Sequence, residues 1–288
     1  MEAIDKVIQQ FRLQVQSIEG VMDSFSSDVY KVTLTRGATV YVKIPFSHLK
    51  LLREVDALHI LNGKVPVPAL LDVWYGDGEL PGALLLSEVE GEAICGPVSR
   101  RLAYDIGVIH ARMHEISPPN NLELKGMRNE FDGWSAFFRQ QFYSFAEDVQ
   151  KVIPTELYEQ ALTHFEKMHP HLPEPEGPSF VHMDFRPANI IVLEDKVSGI
   201  IDFESVRFAA TEVDFTKINR DIFLQNEGTL ASYQDGYNSV RPLIDLDQIL
   251  PFYRFCDAFN SIGWSQRRGL EKNRRFYEEN LELLKSLL

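Results

Sequence analysis

Cysteine is scarce in this 288-residue chain. Cys95 and Cys256 are the two present, with no CxxC pair and no Cys/His spacing of a structural zinc site. A disulfide framework is therefore excluded, and a reducing compartment is expected. Positive charge is also in short supply: 29 Lys and Arg stand against 42 Asp and Glu, a formal net charge of −13, so the basic stripe of a nucleic-acid binder is missing. Apolar runs such as Ala83–Leu86 and Ile190–Leu193 fall far short of the roughly 20 residues that span a bilayer. The opening MEAIDKVIQQ is acidic and has no apolar core of the kind a signal peptide carries. Repeats and low-complexity tracts are absent too. A composition of 44% hydrophobic and 25% charged residues is ordinary for a globular chain and excludes disorder. The expectation is a cytoplasmic protein with neither a membrane nor a nucleic-acid partner.

What is present divides near residue 90. Ile4, Val7, Ile8 and Phe11 have helical spacing, and Leu13 to Val21 then reads as extended. Asp28–Leu34 and Thr39–Ile44 are β-branched and aromatic runs on either side of Thr35-Arg36-Gly37-Ala38, a hairpin signature. Leu51, Leu52, Val55, Leu58 and Leu61 return to a 3.6-residue period, and Asn62-Gly63 supplies a helix stop. Ala69–Trp74 and Ala83–Val89 flank the turn Gly76-Asp77-Gly78, adding two strands. Beyond Gly91, Leu102, Ile106, Ile109, Met113 and Ile116 mark a long amphipathic helix. Trp134–Val149, Leu157–Met168 and the segment ending in Glu278–Leu288 read as helical as well. Among these helices lies one short hairpin, Asn189–Leu193 and Val197–Ile201. The predicted fold class is α+β, with residues 1–90 as an antiparallel-sheet lobe carrying one helix and residues 91–288 as a larger, mainly helical lobe. A ligand cleft is expected between the two.

The chemistry concentrates around that hairpin. His182-Met183-Asp184-Phe185-Arg186-Pro187-Ala188-Asn189, followed by Ile200-Ile201-Asp202-Phe203, reads HxDxRxxN…IIDF. Asp184 and Asn189 are five apart across a loop held by Pro187, and Asp202 ends the second strand, so three oxygen-bearing side chains can converge. Hard oxygen donors of this kind suit Mg²⁺, which binds one or two carboxylates together with phosphate oxygens and water. Asn189 and Asp202 suit the metal; Asp184 is left to orient an acceptor hydroxyl, and Arg186 to face transferred phosphoryl charge.

At this point the chain resembles the aminoglycoside phosphotransferase and choline kinase group of small-molecule kinases, whose fold is similar to that of protein kinases. The resemblance implies the two-lobed kinase-like fold, with Asp184 as the catalytic aspartate and Asn189 and Asp202 as metal ligands. It also implies a cation in the first lobe. Lys43, in Val40-Tyr41-Val42-Lys43, shares a strand face with Tyr41 by alternation, and Glu54 on the following helix is placed to pair with it. Tyr41 has the position from which some relatives stack a ring on adenine. Leu84 to Gly91 is similar to the family hinge, and backbone atoms of Ser87 and Val89 are assigned to the adenine edge. The loop Asp23–Asp28 should cover the phosphates through Ser24, Ser26 and Ser27, although it has none of the glycines of a protein-kinase loop. His110 and His114, four apart, are zinc-like in spacing but lack a third ligand; packing roles are expected for both, and His182 should brace the catalytic loop. Asp214 matches an acidic residue the family uses to support that loop. Phe252, Tyr253, Phe255 and Trp264 read as helix core. Met183 stands where relatives usually have Gly, which is tolerable if its φ is negative.

The expected activity is transfer of the γ-phosphate of ATP or GTP, with Mg²⁺, to a hydroxyl of a small molecule, by a monomer or weak homodimer. Residues 174–257 hold 7 basic and 15 acidic residues, and this excess suggests a cationic, amine-bearing acceptor. A regulatory pseudokinase is the alternative, but such proteins usually lose one of Lys43, Asp184, Asn189 or Asp202. A protein kinase is disfavoured because no APE-like stretch follows Asp202.

Overall fold

The computed structural model describes residues 3–21, 27–120 and 123–288. In chain order the elements are α1 (Ala3–Gln10), β1 (Val15–Gly20), β2 (Ser27–Leu34), β3 (Thr39–Pro45), α2 (His48–Leu61), β4 (Leu70–Trp74), β5 (Ala83–Ser87), β6 (Glu92–Ala93) and α3 (Arg100–His114). There follow α4 (Trp134–Tyr143), α5 (Ala146–Gln150), α6 (Thr155–Met168), β7 (Ser179–Val181), β8 (Ile190–Leu193), β9 (Lys196–Ile200) and β10 (Arg207–Ala209). The chain ends with α7 (Phe215–Ile218), α8 (Thr229–Asn238), α9 (Leu246–Arg267) and α10 (Arg274–Leu287). The fold is thus mixed α and β, with a five-stranded antiparallel sheet first and helices dominating afterwards. No described helix is long and apolar enough to cross a membrane.

The chain forms two compact units. The first takes in residues 1–129, 179–208 and 217–242; the second takes in 130–178, 209–216 and 243–288.

In the first unit the sheet order is β1-β2-β3-β5-β4. Alternation along β3 decides which residues face where: Val40, Val42 and Ile44 join Ile4 and Val7 of α1 in one apolar cluster, which leaves Tyr41 and Lys43 for the opposite face. Helix α2 begins at Ser47, whose hydroxyl accepts from the Lys50 amide, as an N-cap should. The buried Asp56 on α2 accepts from the amides of Gly126 and Met127 at 2.7 and 2.9 Å. Gly126 lies so close that a Cβ there would sit 2.2 Å from the Arg53 nitrogen, so only glycine allows this approach.

The same unit holds α3 against α8. Gly107 and Gly236 set their separation, since a Cβ on either would meet a carbonyl oxygen of the other helix, Tyr233 or Tyr104, at 2.2 or 2.0 Å. His110 and His114 hydrogen bond through Nδ1 to the hydroxyls of Tyr233 and Tyr237 at 2.7 and 2.8 Å. Both histidines are buried, and these contacts tie α3 to α8. The hairpin β8–β9 turns through Glu194 and Asp195, both at positive φ (51° and 60°), the conformation of a two-residue type I′ turn.

The second unit has an aromatic core. Phe252 and Phe255 of α9 are fully buried and Tyr253 nearly so, among Phe138 and Phe142 of α4 and Phe165 of α6. Trp264 meets Phe276 edge-on. Phe252, Tyr253 and Phe255 are core, in line with the sequence reading, whereas Trp264 is only half-buried.

Candidate active site

The loop that runs from β7 to β8 is held from three directions. Phe185 is buried and stacks on His110, with centroids 4.0 Å apart. His182 accepts from the Asp184 amide through Nδ1 and donates from Nε2 to the Ile201 carbonyl at 3.1 Å, which braces the loop. Asn189 donates from Nδ2 to both the carbonyl and Oδ2 of Asp184, at 2.8 and 3.0 Å. One departure concerns Met183. Its φ is +67°, not negative as expected, so this side chain occupies the left-handed region that favours glycine, at a cost of about 1–2 kcal/mol.

Asp184 carries an unusual load of donors. Besides Asn189, Arg186 Nε donates to Oδ2 at 3.1 Å and Lys217 Nζ to Oδ1 at 2.5 Å. Burial would raise the pKa of this carboxyl, but Lys217 and then Arg186 outweigh it and hold the group below the ordinary aspartate value. Asp184 is thus a carboxylate at neutral pH.

The second cluster lies in the same unit. Lys43 Nζ is 2.7 Å from Glu54 Oε2 and 2.6 Å from Asp202 Oδ1, so the expected pair with Glu54 forms and Asp202 joins it. Glu204, immediately beyond the Asp202-Phe203 pair, approaches Lys43 at 3.9 Å and receives Lys50 of α2 at 2.8 Å. Lys43, Glu54 and Glu204 are all almost wholly buried. Desolvation works against the ammonium of Lys43, yet Glu54, Asp202 and Glu204 together overcome it and keep the lysine charged. Asp202, at φ +69°, is likewise held ionised by Lys43 against the effect of burial.

Other predicted residues fall as follows. Tyr41 is half-buried on β3, opposite Leu86 of β5. Ser87 ends β5; its amide donates to the Ala69 carbonyl and its hydroxyl accepts from the Ala69 amide, both at 2.9 Å. Val89 packs on Gly199 of β9, where a Cβ would meet its side chain at 2.6 Å. Ser27 opens β2 and is buried opposite Pro45, so it belongs to the strand and not to the loop. Ser24 and Ser26 lie outside the described residues. The residues that sequence reading passed over are Lys217 and Lys50, whose partners are 33 and 154 positions away and carry no local signature.

The donor set fits a divalent cation. Asn189 commits its amide nitrogen to Asp184 and Asp202 shares one carboxylate oxygen with Lys43; the amide oxygen and the second carboxylate oxygen are the hard donors Mg²⁺ requires.

A five-stranded sheet bearing a Lys–Glu pair, followed by a loop that presents Asp, Asn and a second Asp, defines the kinase-like class of phosphotransferases. The model of the APH phosphotransferase enzyme family matches residues 17–246, and the chain belongs to that family. Solved structures agree in fold. The GDP and kanamycin complex of APH(2″)-IIIa is 16% identical with a TM-score of 0.75, over 99% of this chain and 97% of that one. Macrolide 2′-phosphotransferase MphH from Brachybacterium faecium is 11% identical with a TM-score of 0.70, over 98% and 96%. ADP-bound aminoglycoside phosphotransferase APH(2″)-Ib is 16% identical with a TM-score of 0.67, over 100% and 99%. No curated protein matches the sequence.

Proposed function

We propose that this protein transfers the γ-phosphoryl group of a nucleoside triphosphate, ATP or GTP, to a hydroxyl of a small molecule. One observation carries the reading: Asp184, Asn189, Asp202, Lys43 and Glu54, scattered over some 160 positions, form two adjoining polar clusters in one compact unit, with every pairing the chemistry needs. In such transfers the rate comes from positioning and charge stabilisation. Lys43, braced by Glu54, holds the phosphates. Asp184 orients the acceptor hydroxyl and takes its proton, and Arg186 faces the developing charge. Asn189 and Asp202 would hold Mg²⁺, which when bound supplies neutralisation of phosphate charge. Tyr41 and the backbone of Ser87 and Val89 receive the base.

For the acceptor we propose an amine-bearing alcohol of the aminoglycoside or macrolide kind, the classes named for the structural relatives. The charge excess of residues 174–257 supports this less than expected, because Asp184, Asp202, Glu204 and Asp221 are each paired with a Lys or Arg. Incubation with γ-labelled ATP and GTP, Mg²⁺ and a panel of aminoglycosides, macrolides and simple amino alcohols tests the reading. Label should appear on one acceptor class with loss of its hydroxyl proton. Nucleotide binding without transfer to any acceptor would favour the pseudokinase alternative, and labelling of a generic protein substrate a protein kinase.

A further inference from the structure

Asp184 is held by two kinds of donor. Oδ2 receives Asn189 and Arg186 at 3.0 and 3.1 Å, both from the same short loop and both part of the motif. Oδ1 receives Lys217, which arrives from α7, 33 residues further on, just before the chain passes into the π-helical turn Asn219–Phe223. The loop alone fixes one oxygen; α7 fixes the other. A carboxylate anchored through one oxygen can still rock about that anchor, and displacements of half an ångström are enough to spoil a reacting geometry. The Lys217 and Asp184 side chains remain about a quarter exposed, so the contact is reachable by a ligand, unlike the sealed pair Lys43–Glu54.

We propose that Lys217 is a positioning residue for the transfer, acting through Asp184: its ammonium sets the direction of Oδ1, the oxygen that meets the acceptor hydroxyl. A carboxylate oxygen has two lone-pair sites, so the hydroxyl takes the second while Lys217 keeps the first. As the hydroxyl proton passes to Asp184, the new O–P bond forms and the bond to the nucleoside diphosphate breaks; Lys217 gains and loses nothing. A plain tether between α7 and the loop is the competing account. It would make Lys217 matter for stability but not specifically for Asp184.

The inference rests on Asp184 having the role proposed above, and a double-mutant cycle separates the two. The full chain is prepared as wild type, Asp184→Asn, Lys217→Met, Lys217→Arg and the double variant Asp184→Asn/Lys217→Met, with kcat, both KM values and the melting temperature measured for each. Lys217→Met should lower kcat by about 10- to 100-fold, in the range of lost electrostatic positioning, while both KM values stay within about threefold. Lys217→Arg should recover most of the loss. In the Asp184→Asn background Lys217→Met should change kcat by less than about twofold, since residues acting as a unit are not additive. Full additivity in the double variant, or a wild-type kcat in Lys217→Met, overturns the inference while leaving the phosphotransferase reading intact. An active Asp184→Asn variant overturns that reading instead. If Lys217→Met does not fold, Lys217→Gln carries the same cycle with a neutral donor in place.

Discussion

Removing the charge of Lys43 should unfold the site before it merely slows it. Lys43 is 4% exposed, Glu54 2% and Glu204 3%, and Lys43 is the cation shared by Glu54, Asp202 and, more distantly, Glu204. Lys43→Met keeps the bulk of the side chain and deletes the ammonium, leaving Glu54 as a buried carboxylate with no counter-charge. Breaking a buried pair in this way costs about 3–5 kcal/mol, most of it the penalty on the partner left behind. Lys50 stays on Glu204, so the expected loss lies at the lower end, about 3 kcal/mol. Because the orphaned Glu54 escapes the penalty by taking up a proton, the loss should shrink as pH falls towards 5. Lys43→Met/Glu54→Gln should recover most of the stability at pH 7, yet remain inactive because the phosphates have lost their cation. Urea unfolding followed by tryptophan fluorescence, at pH 5 and 7, reads all three variants. A single variant as stable as wild type, or a double variant no more stable than the single one, refutes the reasoning.

Two further outcomes follow from the described packing. Glu212 is buried; its Oε1 accepts from the Glu176 amide at 2.9 Å, and burial pushes its pKa from 4.5 to about 7. A raised carboxyl contributes stability that is complete below pH 4.5 and lost as pH rises through 7, at about 1.4 kcal/mol per pH unit. Glu212→Gln should therefore gain up to about 3 kcal/mol on wild type between pH 4.5 and 7, measured by denaturant unfolding across that range; a pH-independent difference would contradict the assignment. Gly236→Ala, which in an ordinary helix position would stabilise by about 1 kcal/mol, should instead destabilise by about 1–3 kcal/mol, because its methyl would lie 2.0 Å from the Tyr104 carbonyl. A raised melting temperature would show that α3 and α8 part without cost.

Local signals were legible in the sequence wherever the cause was local. Helix α2 has the bounds read from its periodicity, because Ser47 caps one end and Asn62-Gly63 stops the other. The hairpins β2–β3 and β8–β9 follow from β-branched runs and their turns. By contrast, residues 134–149 read as one helix because Phe138, Phe142, Ala146 and Val149 keep helical spacing, yet the chain breaks at Ser144 and Phe145 into α4 and α5, with the Ser144 hydroxyl donating to the Gln141 carbonyl. Strands β6, β7 and β10 span two or three residues, too few for a period to show. The motif residues of the site were readable because their roles fix their spacing. Lys217 and Lys50 were not, since each gains its partner only when distant segments meet.

The central claim is that Asp184 orients the acceptor hydroxyl for attack on the γ-phosphoryl group. Its most direct test is Asp184→Asn, with single-turnover transfer and calorimetric nucleotide binding measured on the same preparation. Transfer should fall by about a thousandfold or more, in keeping with the loss of a catalytic base, while nucleotide affinity stays within a few-fold. Transfer at the wild-type rate by a correctly folded Asp184→Asn protein would contradict it.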